Sequence, residues 1–353
     1  MKQILFNLTK SELEKFVTDL GQPKFRAKQI TEWLNRGAPD FSVMKNLPES
    51  LRMQLDKAAT PLPCEIVKKL ESSDEQTTKF LLKLNDNELI ESVLMRTSYG
   101  NSVCVSSQVG CAMGCKFCAS TLLGLKRNLT LNEMMAQVLV AQWALRGDGG
   151  NSRANGDPNN NDVSHLVVMG TGEPLQNLEN LKGFLERVNS ELNISWRRIT
   201  VSTCGIVPGI NELSQWGRPI NLAISLHAAV SSMRSELMPI NKMYDLSHVL
   251  DAAFQFSEKT GRQLMIEYIL LGGKNDSEQD AKDLIDLLQG KNCMVNIIPW
   301  NAVSERDFVA PSGNTVHRFQ DILLKSGIHA RIRRERGADI GSACGQLRIK
   351  NNV

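Results

Sequence analysis

From Ser102 onward the chain alternates short apolar runs with amphipathic stretches, and this rhythm restricts the fold more than any other feature. Strands are expected at 103–107, 165–170, 198–203, 222–227, 264–270, 294–299 and 329–332. Between them a 3.6-residue period predicts helices over 131–145, 178–192, 246–259, 278–288 and 315–326. Repeated βα units of this length require parallel strands with helical crossovers. The expected fold class is α/β, a partial (β/α) barrel, whose chemistry gathers at the C-terminal strand ends. Residues 1–60 read as a small helical domain, with a capping-box pattern at Ser11 to Glu14 and a basic face of Lys24, Arg26, Lys28 and Arg36. Residues 61–100 read as a short antiparallel β extension with runs at 65–70, 79–84 and 89–95, and 101–353 as the barrel. The stretch 146–161 has no apolar anchor and reads as a surface insertion.

Just after the first barrel strand stand Cys111, Cys115 and Cys118, spaced C-x3-C-x2-C, with Phe117 as apolar cover. Thiolates this close can converge on one metal centre. Structural zinc takes four ligands, usually from paired C-x2-C motifs. Three cysteines with no near fourth suit a [4Fe–4S] cluster that leaves one iron open. The competing reading is three buried, reduced thiols. The motif resembles the radical S-adenosylmethionine (SAM) enzymes. In that superfamily SAM chelates the fourth iron through its amino and carboxylate groups, and one electron cleaves it to a 5′-deoxyadenosyl radical.

The net charge of +3 does not announce a nucleic-acid binder. Arg331, Arg333, Arg334 and Arg336, together with Arg197, Arg198, Lys126 and Arg127, form groups able to contact phosphates, and a solvated basic surface stands equally open. No apolar run approaches the ~20 residues of a membrane span, and the N-terminus lacks a signal-peptide core. Eight cysteines in 353 residues do not form a secreted disulfide framework, so a reducing cytoplasm is expected.

Further motifs fall at strand ends. Gly170, Gly172, Glu173 and Pro174 lie in one turn, where glycines admit a ligand to the backbone and Glu173 can accept from an ammonium or hydroxyl. After the cysteine triplet this turn resembles the superfamily's GGEP element, which contacts the SAM amino group. Ser202, then Ser225, Leu226 and His227, then Asn301 point polar groups at the same mouth, as a lined SAM pocket would. Cys104 lies seven residues before Cys111, and Cys344 sits between small residues after a basic run, a setting that favours a thiolate. Cys64, Cys204 and Cys293 read as inert buried thiols.

The stretches 104–111, 169–174, 225–227, 298–301 and 343–347 together resemble the dual-specificity ribosomal RNA/transfer RNA adenine-C2 methyltransferases, with Thr171 where that family usually has a second methionine. The resemblance implies two SAM per turnover, acting on an adenosine of the 23S rRNA peptidyl-transferase centre and on the one 3′ of the tRNA anticodon. Cys344 takes a methyl from one SAM. The radical from the second abstracts hydrogen from that methyl, and the methylene radical adds to adenine C2. Glu91 accepts the C2 proton. Cys104 then attacks the Cys344 sulfur, leaving a disulfide for a flavodoxin- or thioredoxin-type reductant. A monomer without membrane contact is expected. The alternatives are the related C8-methylating resistance enzyme, a glycyl-radical activase and a zinc-binding RNA adaptor.

Overall fold

The computed structural model describes residues 2–147, 162–333, 336–342 and 344–347. Most of the expected insertion, together with Arg334 and Ala343, lies outside them.

Strands β1 (Gln3–Ile4) and β2 (Ala59–Thr60) pair in parallel around helices α1 (Lys10–Asp19), α2 (Phe25–Asn35) and α3 (Glu49–Ala58). The capping box forms two residues earlier than expected. Thr9 Oγ1 accepts from the Glu12 N–H at 3.4 Å, and Glu12 Oε2 accepts from the Thr9 N–H at 2.7 Å. Both positions satisfy the S/T-x-x-E pattern, and the earlier start directs Leu13 and Val17, four apart, into the core. Trp33 of α2 tilts against Trp143, ring centroids 6.3 Å apart. Trp143 belongs to α4 (Leu131–Arg146), so the N-terminal helices share the main core.

The antiparallel strands β3 (Cys64–Glu71), β4 (Thr77–Leu84) and β5 (Leu89–Thr97) continue directly into the barrel sheet through β6 (Gly100–Cys104). A hairpin of β7 (Gln108–Gly110) and β8 (Leu125–Asn128), missed in the sequence, brackets the cysteine loop. Then follow β9 (Val163–Val168), α5 (Leu178–Leu192), β10 (Ile199–Thr203), α6 (Val207–Trp216), β11 (Asn221–Ser225), α7 (Ser231–Leu237), α8 (Leu246–Thr260), β12 (Leu264–Leu270), α9 (Glu278–Leu288), β13 (Cys293–Pro299), α10 (Gly313–Lys325) and β14 (Ala330–Ile332). The sheet order is β14-β13-β12-β11-β10-β9-β6-β5-β4-β3, parallel from β14 to β6. Successive strands are neighbours, as in a (β/α) barrel, and the sheet ends open at β14 and β3.

Several strands stop two or three residues before the sequence suggested. β6 ends at Cys104 because Gln137 of α4 takes the Ser106 N–H (2.8 Å) and bonds its carbonyl (3.0 Å). β11 ends at Ser225, and His227 adopts φ +61°, outside any strand conformation. α6 and α7 were also missed. Pro208 occupies the first turn of α6, where its missing N–H costs nothing, and Gly209 packs on Leu175.

Gly37 has φ +83°, and a Cβ there would meet the Leu139 carbonyl of α4. Gly37→Ala is expected to cost about 2 kcal/mol or more, read as a lower denaturant midpoint with an unchanged m-value.

Candidate active site at the strand ends

The cysteine loop is held by main-chain carbonyls. Lys116 N donates to Leu237 O (3.0 Å), Trp300 Nε1 to Phe117 O (3.2 Å) and Arg306 Nη2 to Cys118 O (2.9 Å). Cys111, Cys115 and Phe117 pack with Met113, Cys204, Met238, Ile298 and Trp300 in a second apolar cluster, separate from the main core. The three thiols line one cavity of about 160 Å³. Among the described residues no three His, Cys, Asp or Glu side chains form a set that could hold a metal ion. The thiols ring a space instead of meeting at a point, and sulfur donors in an apolar pocket suit an iron–sulfur group rather than a hard cation. Burial pushes the Cys111 thiol up to about 12, and Cys115 and Cys118 rise for the same reason.

Gly172, Glu173, Ser202, Ser225 and His227 line the same cavity. Glu173 is buried, its Oε2 accepting from Cys204 N (2.8 Å) and its Oε1 from Leu175 N (3.1 Å). Burial pushes its pKa above the ordinary carboxylate value, and these donors oppose the rise. Gln108 fixes the turn by accepting from Glu173 N at 2.8 Å. His227 Nδ1 accepts from Ile269 N (3.1 Å), and its ring meets Phe117 edge-on at 4.8 Å. Burial and the nearby Arg234 charge lower the imidazole to about 3. Leu226 and Asn301 are not among the lining residues: Leu226 is buried in the main core, while Asn301 Nδ2 reaches the Cys344 carbonyl at 3.5 Å.

Cys344 and Arg333 complete the cavity. Cys104, at the end of β6, lies close enough to Cys344 for their charges to interact, and burial lifts its thiol to about 12 against the pull of Arg333. Both cysteines are free thiols. Arg333 Nη1 lies 3.3 Å from Glu267 Oε2 and so faces the cavity, not a phosphate surface. Arg331 donates to Asn296 Oδ1 (2.6 Å) and Arg336 to Arg96 O (3.2 Å), so the described arginines of this run have internal partners. Glu91 is buried, paired with Lys79 at 3.0 Å, and lines an adjoining cavity of about 40 Å³ with Thr171, Ser120 and Leu347.

Residues 4–60 match the model of the ribosomal RNA large subunit methyltransferase N-terminal domain, and 105–288 that of the radical SAM superfamily. A probable dual-specificity RNA methyltransferase RlmN of Alkaliphilus oremlandii is 45% identical over 98% of both chains. A Staphylococcus aureus protein with the same name is 47% identical over 99% of this chain and 93% of its own. The chain belongs to the RlmN family. A radical SAM methyltransferase structure from Sphaerobacter thermophilus superimposes with TM-score 0.85 at 40% identity, covering 98% of this chain and 99% of that one. Membership brings SAM and a [4Fe–4S] cluster as cofactors. Among the described residues no helix is long and apolar enough to cross a membrane.

Within this RlmN-family site, sequence reasoning missed Gln108, Arg234 and Glu267, and it took Cys204 for an inert thiol although it lines the cavity. Arg234 left one signal, a charge three residues before Leu237 and four before Met238, where helical period calls for an apolar residue.

His227 folds neutral, so the unfolded chain binds a proton below its ordinary 6.5 that the folded chain refuses down to about 3. Stability is expected to fall across that window as pH drops, by up to about 1.4 kcal/mol per unit from this group. His227→Asn keeps an acceptor for Ile269 N and tolerates positive φ. Its denaturation series should lack this share of the slope.

Proposed function

We propose that this chain is a radical SAM methyltransferase that methylates carbon 2 of adenosine in 23S rRNA and tRNA. The observation that carries the reading is that Cys344 lines one cavity with the three-cysteine loop and the strand-end residues expected to hold SAM, with Cys104 close enough to Cys344 for their charges to interact.

Cys111, Cys115 and Cys118 would hold the cluster. Gly172, Glu173, Ser202, Ser225 and His227 would shape the SAM site, and Leu226 and Asn301 would contribute through backbone and loop positioning. When bound, cluster and SAM together supply an organic radical able to remove hydrogen from a methyl group. Cys344 takes a methyl from SAM by displacement, forming a C–S bond as S-adenosylhomocysteine leaves. After hydrogen removal its methylene carbon bonds to adenine C2, and the radical adduct gives up one electron, which the oxidised cluster would accept. Glu91, paired with Lys79 at 3.0 Å, accepts the C2 proton. Cys104 attacks the Cys344 sulfur and frees the methylated base, leaving a disulfide for a flavodoxin- or thioredoxin-type protein to reduce. A target base must leave its stack to reach the mouth, and exposed Lys24 and Lys28 on the N-terminal helices suit phosphate contact.

Mass spectrometry of cluster-loaded protein given SAM should find a methyl group on Cys344. Cys104→Ala should accumulate RNA bonded to Cys344, and Cys344→Ala should make no methylated RNA while keeping its cluster absorbance. An unmodified Cys344 in both wild type and Cys104→Ala would sink the proposal, and 8-methyladenosine as product would turn it to the C8 reaction. Glu91→Gln is expected to slow product formation by about 10²–10⁴ without preventing methylation of Cys344.

A further inference from the structure

Arg234 is the only lysine or arginine among the described residues whose exposure falls to 0%. Its guanidinium donates to four neutral oxygens: Cys204 O (2.7 Å), Leu226 O (3.2 Å), Ser225 O (3.4 Å) and Asn241 Oδ1 (2.7 Å). Among the described residues no carboxylate forms an ion pair with it. Burying a charge against neutral dipoles alone is expensive, and folded chains normally supply a counter-charge. The Arg234 charge is felt by Cys204 and His227, which line the cavity, by Cys115 of the cysteine loop and by Asp245. The natural counter-charge lies in the cavity itself: a [4Fe–4S] cluster on three thiolates is net negative, and one unit more so when reduced.

We propose that Arg234 is the electrostatic counter-charge of the cluster, favouring its reduced form and raising its reduction potential. The inference rests on the cofactor reading above. Arg234 touches no reacting atom and acts through the field it places across Cys204 and the cysteine loop. Asn241 keeps that field unscreened, since its side chain is a neutral acceptor whose Nδ2 is committed to Ser231 and Ser235.

The test is a redox titration of anaerobically reconstituted protein without SAM, followed by the electron paramagnetic resonance of the reduced cluster. At a fixed poise the reduced-to-oxidised ratio of Arg234→Gln should fall about tenfold, about 59 mV for a one-electron couple. Arg234→Lys, which keeps the charge, should stay within about threefold of wild type. Asn241→Asp leaves the guanidinium in place but neutralises it at 2.7 Å, and should shift the couple in the same direction as Arg234→Gln. A purely structural role for Arg234 would move Arg234→Lys as far as Arg234→Gln. An unchanged midpoint in either charge-altering variant with full iron content overturns the inference. If Arg234→Gln does not fold, an unshifted midpoint in Asn241→Asp overturns the inference by itself. A wild-type chain that assembles no [4Fe–4S] cluster overturns the cofactor reading instead.

Discussion

The two backbone groups of Ser106 are claimed by one buried amide, Gln137 of α4, and the mouth of the barrel depends on that exchange. It takes Ser106 out of the β-ladder and frees the chain to turn toward the cysteine loop. The Ser106 hydroxyl donates to Glu91 O at 2.7 Å and accepts from Thr171 N at 3.0 Å. One short segment therefore ties the antiparallel strand bearing Glu91 to the turn bearing Glu173. A buried polar group is stable only when paired, so these positions are determined together. Displacing Gln137 would strand the Ser106 N–H and carbonyl.

The same logic governs the charged groups. Glu173 keeps its place through donors from Leu175 and Cys204, and Glu91 through Lys79, whose Nζ also reaches Gly341 O at 3.1 Å. Lys79 thus links the proposed proton acceptor to the C-terminal loop carrying Cys344. Arg333 faces Glu267, itself held by Asn296 Nδ2 at 2.6 Å. Glu91, Glu267 and Arg333 are each oriented by a partner on another strand, which suits a site in which two cysteines and a base must act in sequence.

Much was legible in the sequence because the signals were local. The βα rhythm gave the parallel order, since alternating periods admit few other arrangements. The C-x3-C-x2-C spacing placed the thiols on one loop. Cys104 and Cys344 were singled out although 240 residues separate them, yet only resemblance paired them. Less legible were element ends. Strand propensity continues through Val105–Ser107 and Leu226–His227, and the stopping points came from Gln137 and from the positive φ of His227, neither of which has a local signature. The capping box slipped by two residues because two overlapping patterns fit and core burial chose between them.

The amino-acid sequence by itself determined the fold class, the cysteine loop and the family's chemistry, because period, spacing and motif order are properties of neighbours along the chain. Only the tertiary structure decided which charges turn inward. Arg333 read as part of a phosphate-binding run, and packing places it beside Glu267 in the cavity. Cys204 read as inert, and it stands at the Glu173 carboxylate. Arg234 went unnoticed, and it is the most deeply buried cation described. The physical reason is common to all three. A side chain's electrostatic role is set by how much water it loses and by which groups from distant strands replace that water, and neither is written in its near neighbours.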